Sequence, residues 1–457
     1  MPVICEQGPT NGLVAGRFVA YKAVTRSALM SKAGAGLQLL VPFCVAFFAT
    51  IPFFIDLEGL LPRPVPVSFF VVYSLFFVIT LSGIVRAPKG LAFTFFMLII
   101  IVTFISFVGI PHSYAPGQSL LHGLQFLVPL AGFFLSYSVF LRRGHFRGGG
   151  FGVLWALLLT SAIILYQNSD VVLGLGRWRF DKPGIWGPFE VYQFRQYVGS
   201  VMASAIPLGL LAAHSWRERL RVLAVGTLVA LTVFGMWTAA GRLMALVALL
   251  VVALSLFRKR SVIWGGGLAG LTILALVVSV EPLRAEFLQA VFRFADMGGR
   301  FPYWASAWAD SWAGLFGSAY AVPMGSESLS GGGAHNQLLS LWSRGGILLA
   351  LLWAGLLIWM LYRSFALLRV ARDSPLWWGY AGLATALVLQ ALLNSVIVVP
   401  FEQPYSGIFI WFVYGLVERA NRIESFSGNK TTTARGYSPR ATHDRGVHVV
   451  RPFDLAQ

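Results

Sequence analysis

The chain predicts an all-α fold, that of a polytopic integral membrane protein with about twelve transmembrane helices, and three observations predict it. Hydrophobic residues fill 57% and charged residues 12% of the 457 positions, a balance far from that of a soluble domain. Apolar runs of roughly 17 to 25 residues recur, each long enough to cross a hydrocarbon layer about 30 Å thick. Basic clusters follow every second run, the pattern left when lysine and arginine stay in the cytoplasm.

In chain order the runs are 37–56, 67–85, 91–110, 120–141, 151–167, 198–213, 222–240, 243–257, 262–280, 346–362, 376–398 and 405–418. Lys22, Arg26 and Lys32 precede the first, and the turns RAPK, RRGHFR, RERLR, RKR and RSFALLRVAR follow the second, fourth, sixth, eighth and tenth. Both termini are therefore expected in the cytoplasm. Residues 1–36 form a cytoplasmic N-terminal segment and 37–418 the membrane domain, while 419–457 are polar and aperiodic and read as a disordered cytoplasmic tail. No cleavable signal peptide is expected, because the basic first 35 residues precede a full-length apolar run. Cys5 and Cys44 fall in the N-terminal segment and the first run, so no disulfide framework or thiolate metal site is expected on the far side.

Of the 35 lysines and arginines, this arrangement leaves ten on the far side, so the +17 net charge mainly reports topology and no nucleic-acid partner is implied. Two far-side connections are long, about 168–197 and 281–345, and both are rich in tryptophan, tyrosine and phenylalanine. Such rings suit a headgroup layer or a sugar face. Eight of the ten far-side cations crowd into these loops: Arg177, Arg179, Lys182, Arg195, Arg284, Arg293, Arg300 and Arg344. Arg63 lies elsewhere, and Arg242 sits at the tight turn between the seventh and eighth runs. The arginine fork matches phosphate oxygens, so these residues point to a phosphorylated substrate at the outer face. Arg284 and Arg293, beside Glu286 and Asp296, read as solvated helix charges, and Arg177, Arg179 and Lys182 read equally as contacts to lipid headgroups. Arg195 and Arg242 stand at the mouths of apolar runs, where a charge needs a partner.

The stretch SLSGGGAHNQLLSLWSRGGILLA, residues 328–350, places His335 and Asn336 after three glycines and before helical apolar spacing. The two residues are expected to open a helix. A helix N-terminus disfavours imidazolium, so His335 would stay neutral near pH 7 and could accept a proton; its bland alternative is a helix cap. Gly346, eleven residues on, would return to nearly the same helix face about 16 Å lower and let a neighbouring helix or lipid approach.

With its His335-Asn336 pair, nine intervening residues and Gly346, the stretch resembles the O-antigen ligase and Wzy polymerase superfamily. Leu349 departs from the small or hydroxyl residue that ligases carry there, while the AAGR of AAGRLMALVALLVV and GGRFPYWASAW add softer likeness. The resemblance implies a GT-C-like membrane glycosyltransferase of the bacterial inner membrane with a periplasmic active site. The donor would be an undecaprenyl-diphosphate-linked glycan and the acceptor lipid A core, as in lipopolysaccharide synthesis, or a second lipid-linked glycan in a polymerase. Carried over by position, His335 would be the catalytic base and Arg195, Arg242 and Arg300 the diphosphate ligands. Arg177, Arg179, Lys182, Tyr192, Tyr303, Trp304 and Asn336 would contact substrate. An inverting transfer of this kind needs no metal or other cofactor, and no dense carboxylate or His/Cys cluster appears in the outer loops. A transporter or flippase of a lipid-linked or anionic solute is the alternative from another class, disfavoured because the runs hold few polar groups at mid-depth beyond Gln390 and Asn394.

Overall fold

The apolar runs that fall within the described residues are helical, the conformation in which a segment shielded from water satisfies its own backbone. The computed structural model describes residues 39–52, 54–55, 65–81, 100–101, 127–174, 180, 185–186, 189–190, 195–236, 238–257, 279, 305, 336–397, 401 and 404–436. Within them the helices are α1 (Leu39–Thr50), α2 (Val67–Leu81), α3 (Leu130–Val139), α4 (Arg143–Gln167), α5 (Ser169–Leu173), α6 (Arg195–Ala205), α7 (Trp216–Gly235), α8 (Ala239–Leu254), α9 (Gln337–Val370), α10 (Trp377–Leu387), α11 (Asn394–Ile397) and α12 (Pro404–Gly436). Arg143–Gln167 and Gly346–Val370 are each long and apolar enough to cross a membrane, and six further apolar helices are shorter. The expected runs 91–110, save Ile100 and Ile101, and 262–280, save Ser279, lie outside the described residues.

Local chemistry sets several helix boundaries. Ser215 accepts from the Glu218 N–H, and the Glu218 carboxylate accepts from the Ser215 N–H, a complete capping box that starts α7. Glu218 also accepts from the His214 N–H at 2.7 Å, and these backbone donors hold its pKa down at about 2. After α6 the chain tightens into a 3₁₀ segment, Ile206–Ala212, beginning where Pro207 removes a backbone donor. Neighbouring backbones clamp this segment: a Cβ on Gly150 of α4 would strike Ala212, and one on Gly382 of α10 would strike Pro207. Gly148 and Gly152, four apart on α4, likewise admit the α1 carbonyls of Leu39 and Phe43, so small residues let helices touch where propensity alone disfavours them.

The departure from pure helix is a patch of four two-residue antiparallel strands: β1 (Phe54–Ile55), β2 (Val65–Pro66), β3 (Ile185–Trp186) and β4 (Phe189–Glu190), in the order β2-β1-β4-β3. Ile55 pairs with Phe189, which ties the connection after α1 to that after α5 at one end of the bundle. Phe133 of α3 packs on Trp411 and Tyr414 of α12 in the aromatic core.

Three of the basic turns converge, RAPK and RKR lying outside the described residues. Arg147 pairs with Glu218 at 3.0 Å, and Arg219 donates to the Ser255 carbonyl at 2.6 Å. Arg143 grips Glu424 through two bonds of 2.9 and 2.8 Å, and Glu424 also accepts from Ser374 and the Tyr380 hydroxyl. Arg363 holds Glu418 through two 2.7 Å bonds, Arg419 donates to the Phe140 carbonyl and Arg422 to the Tyr137 hydroxyl. The boundary expected at 419 therefore falls inside α12, which runs to Gly436. Polar residues 419–424 read as the start of a tail only because their partners lie far away in sequence.

Candidate functional site

Three helix termini carry the described part of the site. The first is the C-terminus of α7, whose last carbonyls lack partners within the helix. Arg242, in the first turn of α8, donates to the Phe234 carbonyl through Nε at 3.2 Å and Nη2 at 2.9 Å, and its guanidinium stands 5.6 Å from the centre of the Phe234 ring. A cation there complements the helix dipole. Phe180 docks on the same terminus: its N–H donates to the Gly235 carbonyl at 2.9 Å, and its buried ring packs where a side chain on residue 235 would be. Phe180, the residue that follows Arg179 in RWRFDK, is thus pinned beside Arg242.

The second terminus is the N-terminus of α6, which begins at Arg195. Helices α6 and α8 meet through Gly199 and Gly241, with the buried Thr238 hydroxyl between them, so Arg195 and Arg242 open neighbouring helices at one end of the bundle. Farther along α6, Ser200 and Ser204 face a π-helical turn, Val388–Leu393, that follows α10. Gln390 donates to Ser204 at 2.9 Å, and Asn394 donates to Ser200 at 3.1 Å and to Gln390 at 3.0 Å. All four side chains are buried, so the polar residues that looked isolated in sequence form one ladder between helices.

The third terminus is that of α9. Asn336 is its N-cap, with extended backbone and a side-chain oxygen that accepts from the Leu339 N–H at 3.0 Å. The helix start expected at His335 and Asn336 is therefore at Asn336. The helix does not continue regularly through Gly346. Gly346 has φ 74° and ψ −178°, a conformation open essentially to glycine alone, and it breaks α9 into a short N-terminal piece and the long apolar one. Backbone geometry by itself therefore calls for glycine at this position.

Arg177, Arg179, Lys182, Tyr192, Arg300, Tyr303, Trp304 and His335 lie outside the described residues, and Arg195 is described in its backbone alone. The structure brings Arg242 and the start of α6 together; α9 packs on α11 and the π turn, which carry the ladder to α6. Sequence reasoning missed Phe180 and the ladder. An apolar residue set among four charges in RWRFDK was the available signal for the first, and hydroxyls four apart in SVMAS, matched by the four-residue spacing of Gln390 and Asn394, for the second. Among the described residues no three His, Cys, Asp or Glu side chains converge to hold a metal.

No protein-family profile and no curated protein matches the chain. A solved structure described as "Structural coordination of polymerization and crosslinking by a peptidoglycan synthase complex" contains a chain that aligns at 19% identity and a TM-score of 0.42, over 72% of this chain and 97% of that one. At that score the likeness bears on neither the site nor the chemistry, which rest on the residues above.

Proposed function

We propose that this chain is an inner-membrane glycan transferase that takes a glycan from an undecaprenyl-diphosphate donor and delivers it to an acceptor hydroxyl at the periplasmic face. One observation carries the reading: Arg242, the start of α6 and Phe180 meet at one end of the bundle, whereas the paired basic turns gather through separate contacts among α4, α7, α8, α9 and α12. Cations that the sidedness bias does not explain are thereby associated with helix termini, where a departing diphosphate could be stabilised. The twelve-span arrangement with both termini cytoplasmic is part of the proposal.

In the proposed reaction His335 takes the proton of the acceptor hydroxyl as its oxygen bonds to the anomeric carbon. The bond from that carbon to the diphosphate oxygen breaks, its electron pair leaves with the diphosphate, and the configuration inverts. Arg195, Arg242 and Arg300 stabilise the leaving charge, and Arg177, Arg179, Lys182, Tyr192, Tyr303 and Trp304 hold the donor headgroup and sugars. Ligation to lipid A core is the preferred form, on the His335-Asn336 and Gly346 spacing; repeat-unit polymerisation is the second, favoured by Leu349. The deciding experiment assays purified His335→Asn and His335→Ala with lipid-linked donor and each acceptor. A base predicts a loss of about 10² to 10⁴ in turnover for both, with donor binding kept. Wild-type turnover in His335→Asn would leave the residue a cap, and product length separates ligation from polymerisation.

A further inference from the structure

Between α4 and α7 the bundle carries a groove of about 200 Å³ that belongs to none of the chemistry above. Leu154, Trp155 and Leu158 form one wall at helical spacing; Val222 and Val225 form the other, with Arg221 at the rim. Trp155 is 56% exposed, so the groove opens sideways and not into the core. Its other end is charged. Arg147 and Glu218 clasp the two helices there, and Glu218 is also engaged by the His214 and Ser215 N–H groups. Arg217 and Arg221, four apart and so on one face of α7, are both exposed, and neither makes an ion pair among the described residues. Trp216, 61% exposed, stands beside them, as an aromatic residue does at a headgroup layer.

We infer that this groove is a site for one anionic phospholipid of the leaflet facing the basic turns, with an acyl chain between Leu158 and Val225 and its phosphate on Arg217 and Arg221. Charge complementarity selects this occupant. An apolar slot alone would take any lipid tail, whereas Arg221 at the rim, with Arg217 one turn before it on the same helix face and the nearest acid already engaged, favours a headgroup with net negative charge. The groove lies at the end of the bundle where the basic turns gather, so the inference rests on the membrane reading of the chain and not on its transferase activity.

The test uses the full chain, delipidated in detergent and supplied with dioleoyl phosphatidylglycerol or dioleoyl phosphatidylethanolamine, with retained lipid counted by native mass spectrometry. One phosphatidylglycerol per chain is expected, held at least tenfold more tightly than phosphatidylethanolamine. Each arginine near an anionic headgroup contributes about fivefold in affinity, so Arg217→Gln with Arg221→Gln should weaken phosphatidylglycerol about thirtyfold and leave phosphatidylethanolamine unchanged. Val225→Trp, which fills the slot and keeps both arginines, should also lose the lipid. Equal retention of the two lipids, wild-type binding by the double arginine variant, or displacement of phosphatidylglycerol by millimolar inorganic phosphate would each overturn the assignment. Both arginines are exposed, so their variant keeps the test decisive if Val225→Trp does not fold.

Discussion

Glu424 is the most heavily engaged carboxylate among the described residues, and its removal should expose how the bundle is closed at its basic end. The side chain is buried and accepts four hydrogen bonds, two from Arg143 and one each from Ser374 and Tyr380. Arg143 is 41% exposed and can rehydrate, so its share of Glu424→Ala is about 1 kcal/mol, the range of solvent-accessible pairs. Tyr380 cannot: it is fully buried, and an orphaned hydroxyl costs about 1 to 3 kcal/mol. Glu424→Ala should therefore destabilise by about 2 to 4 kcal/mol. Tyr380→Phe removes one bond and orphans nothing, at a cost of about 1 kcal/mol. In the Tyr380→Phe background Glu424→Ala should cost at least about 1 kcal/mol less than in the wild type, because no hydroxyl is left stranded. Equilibrium unfolding in mixed detergent micelles, run as a double-mutant cycle, measures this coupling. Additivity within about 0.5 kcal/mol would refute the reasoning.

Gly346→Ala places a Cβ where φ is 74° and ψ −178°, so it should cost about 1 to 3 kcal/mol, read as a lower melting temperature beside an unaffected Gly144→Ala control, whose Cβ meets open space. Arg242 carries both a structural and a proposed chemical duty: Arg242→Ala should lower stability by about 1 to 2 kcal/mol and turnover tenfold to a hundredfold, whereas Arg242→Lys should restore stability more fully than turnover. Parallel recovery of both quantities would remove Arg242 from the donor site. Glu218 titrates low in the fold, so its stabilising effect is complete above its unfolded value of roughly 4.3 and is lost as the pH falls toward its folded value of about 2. Glu218→Gln should flatten the acid limb of a stability profile between those values, and an unchanged limb would assign it to other carboxylates.

The side of the bundle on which a residue lies was more legible in the sequence than what the residue does there. The turns RRGHFR and RERLR do gather, through Arg147 with Glu218, and RRGHFR and RSFALLRVAR both reach α12, through Arg143 with Glu424 and Arg363 with Glu418. Their charge was readable as a bias, but its neutralisation was not, because Glu424 lies 281 residues from Arg143 and no local pattern records so distant a partner. The same reason hides the true end of α12: Arg419, Asn421 and Glu424 look like a solvated tail until Phe140, Arg363 and Arg143 complete their bonds. Gly148 and Gly152 were readable as a small-residue pair, although their meeting with Leu39 and Phe43 required the partner helix. The π turn had no signal in propensity, since Val388–Leu393 reads as ordinary helix; it is recognised by the ladder it makes with Ser200 and Ser204.

The break at Gly346 changes how a base at position 335 would be aimed. An unbroken helix from Asn336 to Val370 would fix the direction of its N-terminus by the tilt of the crossing segment, and any tilt of the span would swing the cap with it. With φ at 74°, Gly346 uncouples the two, and the nine residues from Gln337 to Gly345 take their own direction. Buried Gln337, Ser340 and Leu341 seat that short piece, while Asn336 fixes its first turn through the Leu339 N–H. The fragment that begins at Asn336 is thus capped and seated independently of the long apolar segment that follows Gly346. In the transfer proposed above, such a fragment would be the positioning element for a base at position 335, and Gly346 the residue that permits it.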